Sequence, residues 1–291
     1  MTERLPTELL GRTGLPVTRL GYGAAHRKSM DDGQMKVQLN TVLDSGINFI
    51  DTADDYGNSE DMIGKYISHR RSEFYLATKC GSSEAGHTWT KENVFRNLHE
   101  SLRRMKTDYV DVMQLHNPTV LECQKGKVVD ALEEMKEQGL VRWIGISTTL
   151  PDLPTYLKWG VFDTFQIPYS ALERTHEEWI TKSAQAGIGI LIRGGVALGE
   201  PGIGLGNTER WLKFDKAGLD DLRQEGESRT AFILRFALTH PQSHTIITGT
   251  SNPNHLTENV QAILRGPLSS HTYHEAKRRL DAADEKVSPV P

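Results

Sequence analysis

Short apolar runs recur along the chain at Thr18–Leu20, Ile47–Ile50, Phe74–Ala77, Tyr109–Leu115, Arg142–Ile146, Thr164–Ile167, Ile188–Ile192 and Thr245–Ile247. Each is short enough, and bounded by enough turn-forming residues, to read as a strand. Between them lie stretches such as "TKENVFRNLHESLRRM", "KGKVVDALEEMKEQG" and "NPNHLTENVQAILRG", with apolar residues at i, i+3 and i+4, which predict amphipathic helices. Thr90, with Glu92 in the first turn behind it, marks a helix start; Gly46, Gly139 and Gly187 mark helix ends. Strand and helix thus alternate eight times. Alternation of this kind demands a parallel sheet, because parallel strands need long crossovers, and eight units in about 250 residues fit a closed (β/α)8 TIM barrel better than an open sheet. The reading is one barrel domain over residues 1–291. Ahead of it, "TELLGRTGLPVTRLG" predicts a β-hairpin turned at Thr13–Gly14 that plugs the barrel base, and an extra polar helix is expected at the C-terminus. The longest irregular stretch, Gly194 to Glu225, reads as a loop on the active face.

Composition narrows the function. The 291 residues are 37% apolar and carry a net charge of -4, with no long basic run. Nucleic-acid binding is therefore not expected. No run of eighteen apolar residues occurs, and "MTERLPTELL" lacks a signal-peptide core, which predicts a cytoplasmic protein without membrane attachment. Cys80 and Cys123 are the only cysteines, and neither has metal-like spacing. No metal site is expected. "HTYH" at residues 271–274 reads as a solvated helix face.

In a barrel of this type the active site forms at the C-terminal ends of the strands. Asp51 ends the second run, Lys79 the third and His116 the fourth, while Tyr56 lies on the loop after the second. A carboxylate, an ammonium, an imidazole and a phenol therefore converge on one mouth. The loops also bring Tyr22, Trp89 and Trp211 toward a substrate pocket.

These motifs resemble the aldo-keto reductase family over nearly the whole chain. "FIDTADDYGNSEDMIG", "LATKCG" and "MQLHNP" are similar to its catalytic strands, "VRWIGIST" and "FQIPYSALER" to its nicotinamide-anchoring strands, and "ITGTSNPNHLTENV" to its coenzyme-phosphate segment. The resemblance implies an NAD(P)H-dependent oxidoreductase that reduces an aldehyde or ketone to the alcohol; a monomer or weak homo-oligomer is expected, and the short polar tail after residue 265 argues against a large hydrophobic substrate. In physical terms Tyr56 is the proton donor to the developing alkoxide, Lys79 the ammonium that lowers its pKa, Asp51 the carboxylate that fixes Lys79, and His116 the partner of the carbonyl oxygen.

By the same resemblance Ser147, Thr148 and Gln166 hold the nicotinamide carboxamide, with Thr148 standing where the family usually has asparagine. Gly249, Thr250, Ser251, His255 and Asn259 form the coenzyme-phosphate end, and Arg193 takes the place of an aromatic residue beside the nicotinamide. NADP(H) is the favoured coenzyme and NAD(H) the alternative, since no cation for a 2′-phosphate is evident. "GIGLG" at 202–206 has no strand leading into it and reads as a mobile loop folding over the coenzyme rather than a dinucleotide fingerprint. Two other functions fit the same residues: a coenzyme-binding regulatory or redox-sensing subunit with slow turnover, and a hydrolase using Asp51 and Glu60. Glu60 itself reads as a helix cap or a salt bridge within its own helix.

Overall fold

The computed structural model describes residues 4–25 and 30–285. Its strands are β1 (Thr7–Leu9), β2 (Pro16–Thr18), β3 (Leu20–Gly23), β4 (Phe49–Asp51), β5 (Tyr75–Cys80), β6 (Ser82–Ser83), β7 (Gly86–His87), β8 (Val110–His116), β9 (Val141–Ser147), β10 (Thr164–Pro168), β11 (Gly189–Arg193) and β12 (Thr245–Thr248). The helices are α1 (Asp32–Asp44), α2 (Ser59–Tyr66), α3 (Lys91–Met105), α4 (Val120–Gly126), α5 (Val128–Glu137), α6 (Leu153–Trp159), α7 (Glu177–Gln185), α8 (Thr208–Lys216), α9 (Arg229–Thr239), α10 (Pro253–Leu264) and α11 (Ser270–Glu285). Eight strands close a parallel barrel in the order β3, β4, β5, β8, β9, β10, β11, β12, with β12 pairing back onto β3. This is the (β/α)8 barrel, and α11 is its extra C-terminal helix.

The barrel has two apolar layers. Leu10 and Val17 of the N-terminal hairpin, formed by β1 and β2, join Phe49, Ala77, Val112, Leu191 and Ile247 inside the barrel, so the hairpin closes the base. Gly11 allows this: a Cβ there would lie 2.4 Å from the Gly189 backbone nitrogen, at the start of β11. The second layer, between sheet and helices, includes Leu39, Leu98, Leu132, Ile180 and Phe232.

The observed strands run further than the apolar runs. β4 includes Asp51, β5 includes Lys79 and Cys80, β8 includes His116, and β11 includes Arg193. The reason is the ladder: Asp51 pairs with Gly23 and Ala77, His116 with Ser147, and Arg193 with Pro168. The first run was displaced, because Thr18 belongs to the hairpin and the barrel strand starts at Leu20. The stretch from Gly194 to Glu225 is only partly loop. Asn207 caps α8 by accepting from the Arg210 N–H, and a 3-10 turn follows at Leu219–Leu222. The small hairpin of β6 and β7 was not expected. Among the described residues no helix is long and apolar enough to cross a membrane.

Candidate active site

The mouth of the barrel opens into a cavity of about 780 Å³ that runs from Asp51, Tyr56 and His116, past Ser147, Gln166 and Arg193, to Gly249, Thr250, Ser251, His255 and Asn259. That volume lies within the usual range for small-molecule sites.

Lys79 is the buried centre. Its side chain is 0% exposed, with Nζ 2.6 Å from Asp51 Oδ2, 2.9 Å from the Thr52 carbonyl and 3.4 Å from the Tyr56 hydroxyl. Burial alone would drive this ammonium toward neutrality; the charge of Asp51 and the phenol of Tyr56 outweigh it and hold the pKa above the ordinary lysine value. The other Asp51 oxygen, Oδ1, accepts from the Gln114 amide at 2.9 Å and the Gln166 amide at 3.0 Å. A carboxylate with three donors is fixed in position, and it fixes Lys79 in turn.

Tyr56 is held by position more than by its own bonds. Its ring lies 4.8 Å from Lys79 Nζ and edge-on to His116 at 5.8 Å between centroids. Burial pushes its phenol above the ordinary value, the Lys79 charge pulls it back, and the Asp51 charge opposes that pull. The net direction is upward, so the expected lowering by Lys79 only partly offsets the effect of burial.

Four expected residues stand elsewhere. Tyr22, expected in the substrate pocket, is fully buried in the layer between sheet and helices, with its hydroxyl 3.2 Å from the Thr250 carbonyl. Strand parity explains it: Gly21 and Gly23 face the barrel interior, where a Cβ on Gly23 would come within 2.9 Å of Ile247, so Tyr22 points outward. Trp89 stacks on His87 and covers Gly81, outside the cavity wall. Trp211 is buried and donates its indole N–H to the Ala197 carbonyl, anchoring the segment that carries Leu198, Ile203 and Leu205 along the cavity. Thr148 is also buried off the cavity; its backbone N–H bonds the Gln166 carbonyl. Glu60 bridges elements instead of serving its own helix: it accepts from Thr78 at 2.6 Å and from Arg104 of α3 at 2.8 Å. With Asp51 and Glu60 both committed to cations, the hydrolase reading loses its free carboxylate pair.

Sequence reasoning also missed residues that the fold brings in. Gln114 lies two positions before His116 on the same face of β8, and a lone amide in the run "VDVMQLH" was the available signal. Asn117, with a left-handed backbone at φ 62°, lines the cavity and accepts from the Ser147 hydroxyl at 2.9 Å. Asp55 and His87 come beside His116 from separate loops, with no spacing that links them in sequence. His271 and His274 lie on α11, and His274 is exposed with its Nδ1 on the Ser270 carbonyl.

Comparison with known proteins agrees with this architecture. The sequence profile of the Aldo/keto reductase family matches residues 19–280. An uncharacterized oxidoreductase of Bacillus subtilis is 30% identical over 87% of this chain and 89% of its own length. The L-galactose dehydrogenase of Arabidopsis thaliana is 29% identical over 89% of this chain and 88% of its own. Among solved structures, the holo form of an aldo-keto reductase from Bacillus halodurans superposes with a TM-score of 0.85 at 29% identity, covering 95% of this chain and 96% of that one. With the barrel, the buried lysine–aspartate pair and these matches together, the chain belongs to the aldo/keto reductase family.

Proposed function

We propose that this oxidoreductase reduces a small aldehyde or ketone to the alcohol at the expense of NAD(P)H, with Tyr56 as the general acid. One observation carries the reading: the buried Lys79 ammonium, paired to Asp51, backs a phenol that opens on the cavity. When bound, the coenzyme supplies the hydride. The residues do the rest. Tyr56 donates its proton to the oxygen as negative charge develops there, which is favourable because an alkoxide is more basic than a phenolate. Lys79 stabilises the phenolate left behind, and His116 offers an N–H to the same oxygen.

The cavity suits a dinucleotide. Its far end combines the Thr250 and Ser251 segment with the start of α10, where Pro253 has no N–H and the Asn254 N–H is taken by the Asn252 side chain, so Ser251 and His255 are the proposed anion contacts there. At the near end the Arg193 Nε is buried without a hydrogen-bond partner among the described residues, so a polar group is left for a ligand. Ser147, Gln166 and Asn117 are our proposed carboxamide partners, Asn117 providing the amide that Thr148 lacks. Thr250, Ser251, Asn252, His255, Glu258 and Asn259 line the far end without a Lys or Arg among them, which favours weak discrimination between NADPH and NADH. The lean toward NADP(H) rests on the family resemblance alone. Arg193, a permanent cation beside Tyr56, favours the neutral reduced coenzyme over the oxidised one.

Coenzyme oxidation against a panel of small aldehydes and ketones tests the proposal. Tyr56→Phe should keep its fold and coenzyme affinity while reduction falls by about a hundredfold or more. Retention within tenfold would remove Tyr56 as the acid. Binding titrations with oxidised and reduced coenzymes test Arg193: an unchanged oxidised-to-reduced affinity ratio in Arg193→Tyr would place its charge away from the ring.

A further inference from the structure

We propose that Asp55, His87 and His116 form a zinc site at the edge of the cavity, and that zinc bound there inhibits carbonyl reduction. The inhibition rests on the function proposed above; the site itself does not.

Asp55 Oδ2 lies 3.4 Å from His116 Nδ1 and 3.8 Å from His87 Nε2, and all three ligand atoms fall within 4.8 Å of one another. These separations are long for hydrogen bonds, which run about 2.7–3.2 Å. They are close to the edges of a tetrahedron with zinc at about 2.0–2.2 Å from each ligand, which measure about 3.4 Å. His116 Nδ1 is accordingly buried with no hydrogen-bond partner among the described residues. His87 is the atom set that must move, and its side chain is 43% exposed, so a small rotation closes the set. Two imidazoles and one carboxylate, with a fourth position left for water, form a zinc-type donor set; magnesium and calcium prefer oxygen ligands throughout.

The two segments that carry Asp55 and His87 are braced against one another before any ion arrives, and His116 sits at the end of strand β8. Asp54, next to Asp55, accepts from the Ser82 hydroxyl at 2.7 Å and its backbone N–H at 3.3 Å, tying the β4 loop to the hairpin that carries His87. That hairpin pairs Ser82 with His87, and Asn93 of α3 holds it through the carbonyls of Ser82 and Thr88. Asp54 also adds a second carboxylate beside Asp55, which favours a cation. His116 is the link to the chemistry. Zinc on its Nδ1 locks the ring against Asp55 in one orientation, so Nε2 can donate only from where the ion holds it and the ring can no longer shift to follow a carbonyl oxygen beside Tyr56.

The experiment is isothermal titration of the full chain, freed of any histidine tag, with ZnCl2 and with MgCl2, alongside reduction assays at the same zinc concentrations. One zinc per chain is expected, with no comparable magnesium binding, and reduction should fall over the zinc range that fills the site and return on addition of EDTA. His87→Phe keeps the ring that stacks on Trp89 and removes the ligand. It should reduce normally without zinc, and bind zinc more weakly than wild type by over a hundredfold, beyond the roughly 10–100-fold cost of losing an outer partner. Asp55→Asn should weaken binding as well, and serves if His87→Phe misfolds. Absence of zinc binding, equal magnesium binding, or zinc affinity unchanged in both variants overturns the site. Zinc bound through these residues without loss of reduction overturns the inhibition. A chain that binds zinc in this way but reduces no carbonyl retains the site and defeats the proposed function instead.

Discussion

Lys79 shows how much one residue is asked to do. An isolated ammonium at 0% exposure would be very costly, and it stays charged because Asp51, the Thr52 carbonyl and the Tyr56 hydroxyl surround it. Lys79→Met would leave Asp51 buried with only its two amide donors, Gln114 and Gln166. Breaking a buried pair on one side costs about 3–5 kcal/mol, so the urea midpoint should drop by that equivalent and reduction should be lost with it. Adding Asp51→Asn removes the stranded charge and keeps an acceptor for both amides. The double variant should recover more than half of the lost stability and none of the activity. If it is no more stable than Lys79→Met, the unpaired carboxylate is not the cause. Asp51, Lys79 and His116 were legible in sequence because polar residues that end apolar runs share one rim. Tyr22 was misplaced because a strand's parity cannot be set from a run of three residues: a shift of one position turns every side chain over.

At the scale of elements, the contact between α2 and α3 places the Tyr56 loop. A Cβ on Gly64 of α2 would sit 2.0 Å from the Arg104 carbonyl and 2.9 Å from the Met105 backbone, so the helices meet through backbone with no side chain to yield. The same joint carries the Glu60 to Arg104 salt bridge at 2.8 Å, and Ser59 at the start of α2 shares a 2.8 Å hydroxyl contact with Thr52 beside the site. Gly64→Ala must push α2 outward. Overpacking of this kind costs about 1–3 kcal/mol, and the displacement should reach Tyr56, eight positions earlier and one loop away. Denaturant unfolding and reduction assays on Gly64→Ala should therefore show lower stability together with a lower kcat and an unchanged coenzyme affinity. Normal stability would mean that the helices re-seat freely. Helix positions were readable from the 3.6-residue period. The close approach at Gly64 was not, because nothing in an isolated amphipathic pattern says which helix lies opposite or how near. α8 was missed for a related reason: its stretch "TERWLKFDK" follows a glycine-rich segment, and its buried face, Trp211 and Phe214, is too narrow to announce a helix.

For the whole molecule, strand and helix alternation was enough to specify the closed barrel, since eight right-sized crossovers leave few other parallel arrangements. What alternation does not reveal is how the barrel's stability depends on pH, to which three buried histidines contribute, two of them four positions apart and the third more distant in the chain. His176 Nε2 accepts the Leu150 N–H at 3.2 Å, His240 Nδ1 the Gln242 N–H at 3.2 Å, and His244 Nδ1 the Ile190 N–H at 2.8 Å. A ring nitrogen that accepts must be unprotonated, and burial pushes all three pKa values down. Nearby charges act less: Glu173 and Arg193 on His176, Glu177 and Lys277 on His240, Glu8 and Arg19 on His244. The sign follows from linkage. As pH falls through the unfolded value near 6.5, the unfolded chain takes up protons that the folded chain refuses, so stability drops, by at most about 1.4 kcal/mol per pH unit for each histidine. Glu60, pushed upward by burial, works in the opposite sense from the ordinary carboxylate range, so the wild-type curve alone does not isolate the histidines. His244→Asn does, because the amide oxygen can take the Ile190 N–H and has no proton to bind. Thermal unfolding followed from about pH 7.5 to about pH 5.5 should show a shallower loss of Tm in His244→Asn than in the wild type. Parallel curves would mean that His244 titrates alike in the folded and unfolded chain, and its bond to Ile190 would then contribute nothing to the acid sensitivity of the fold.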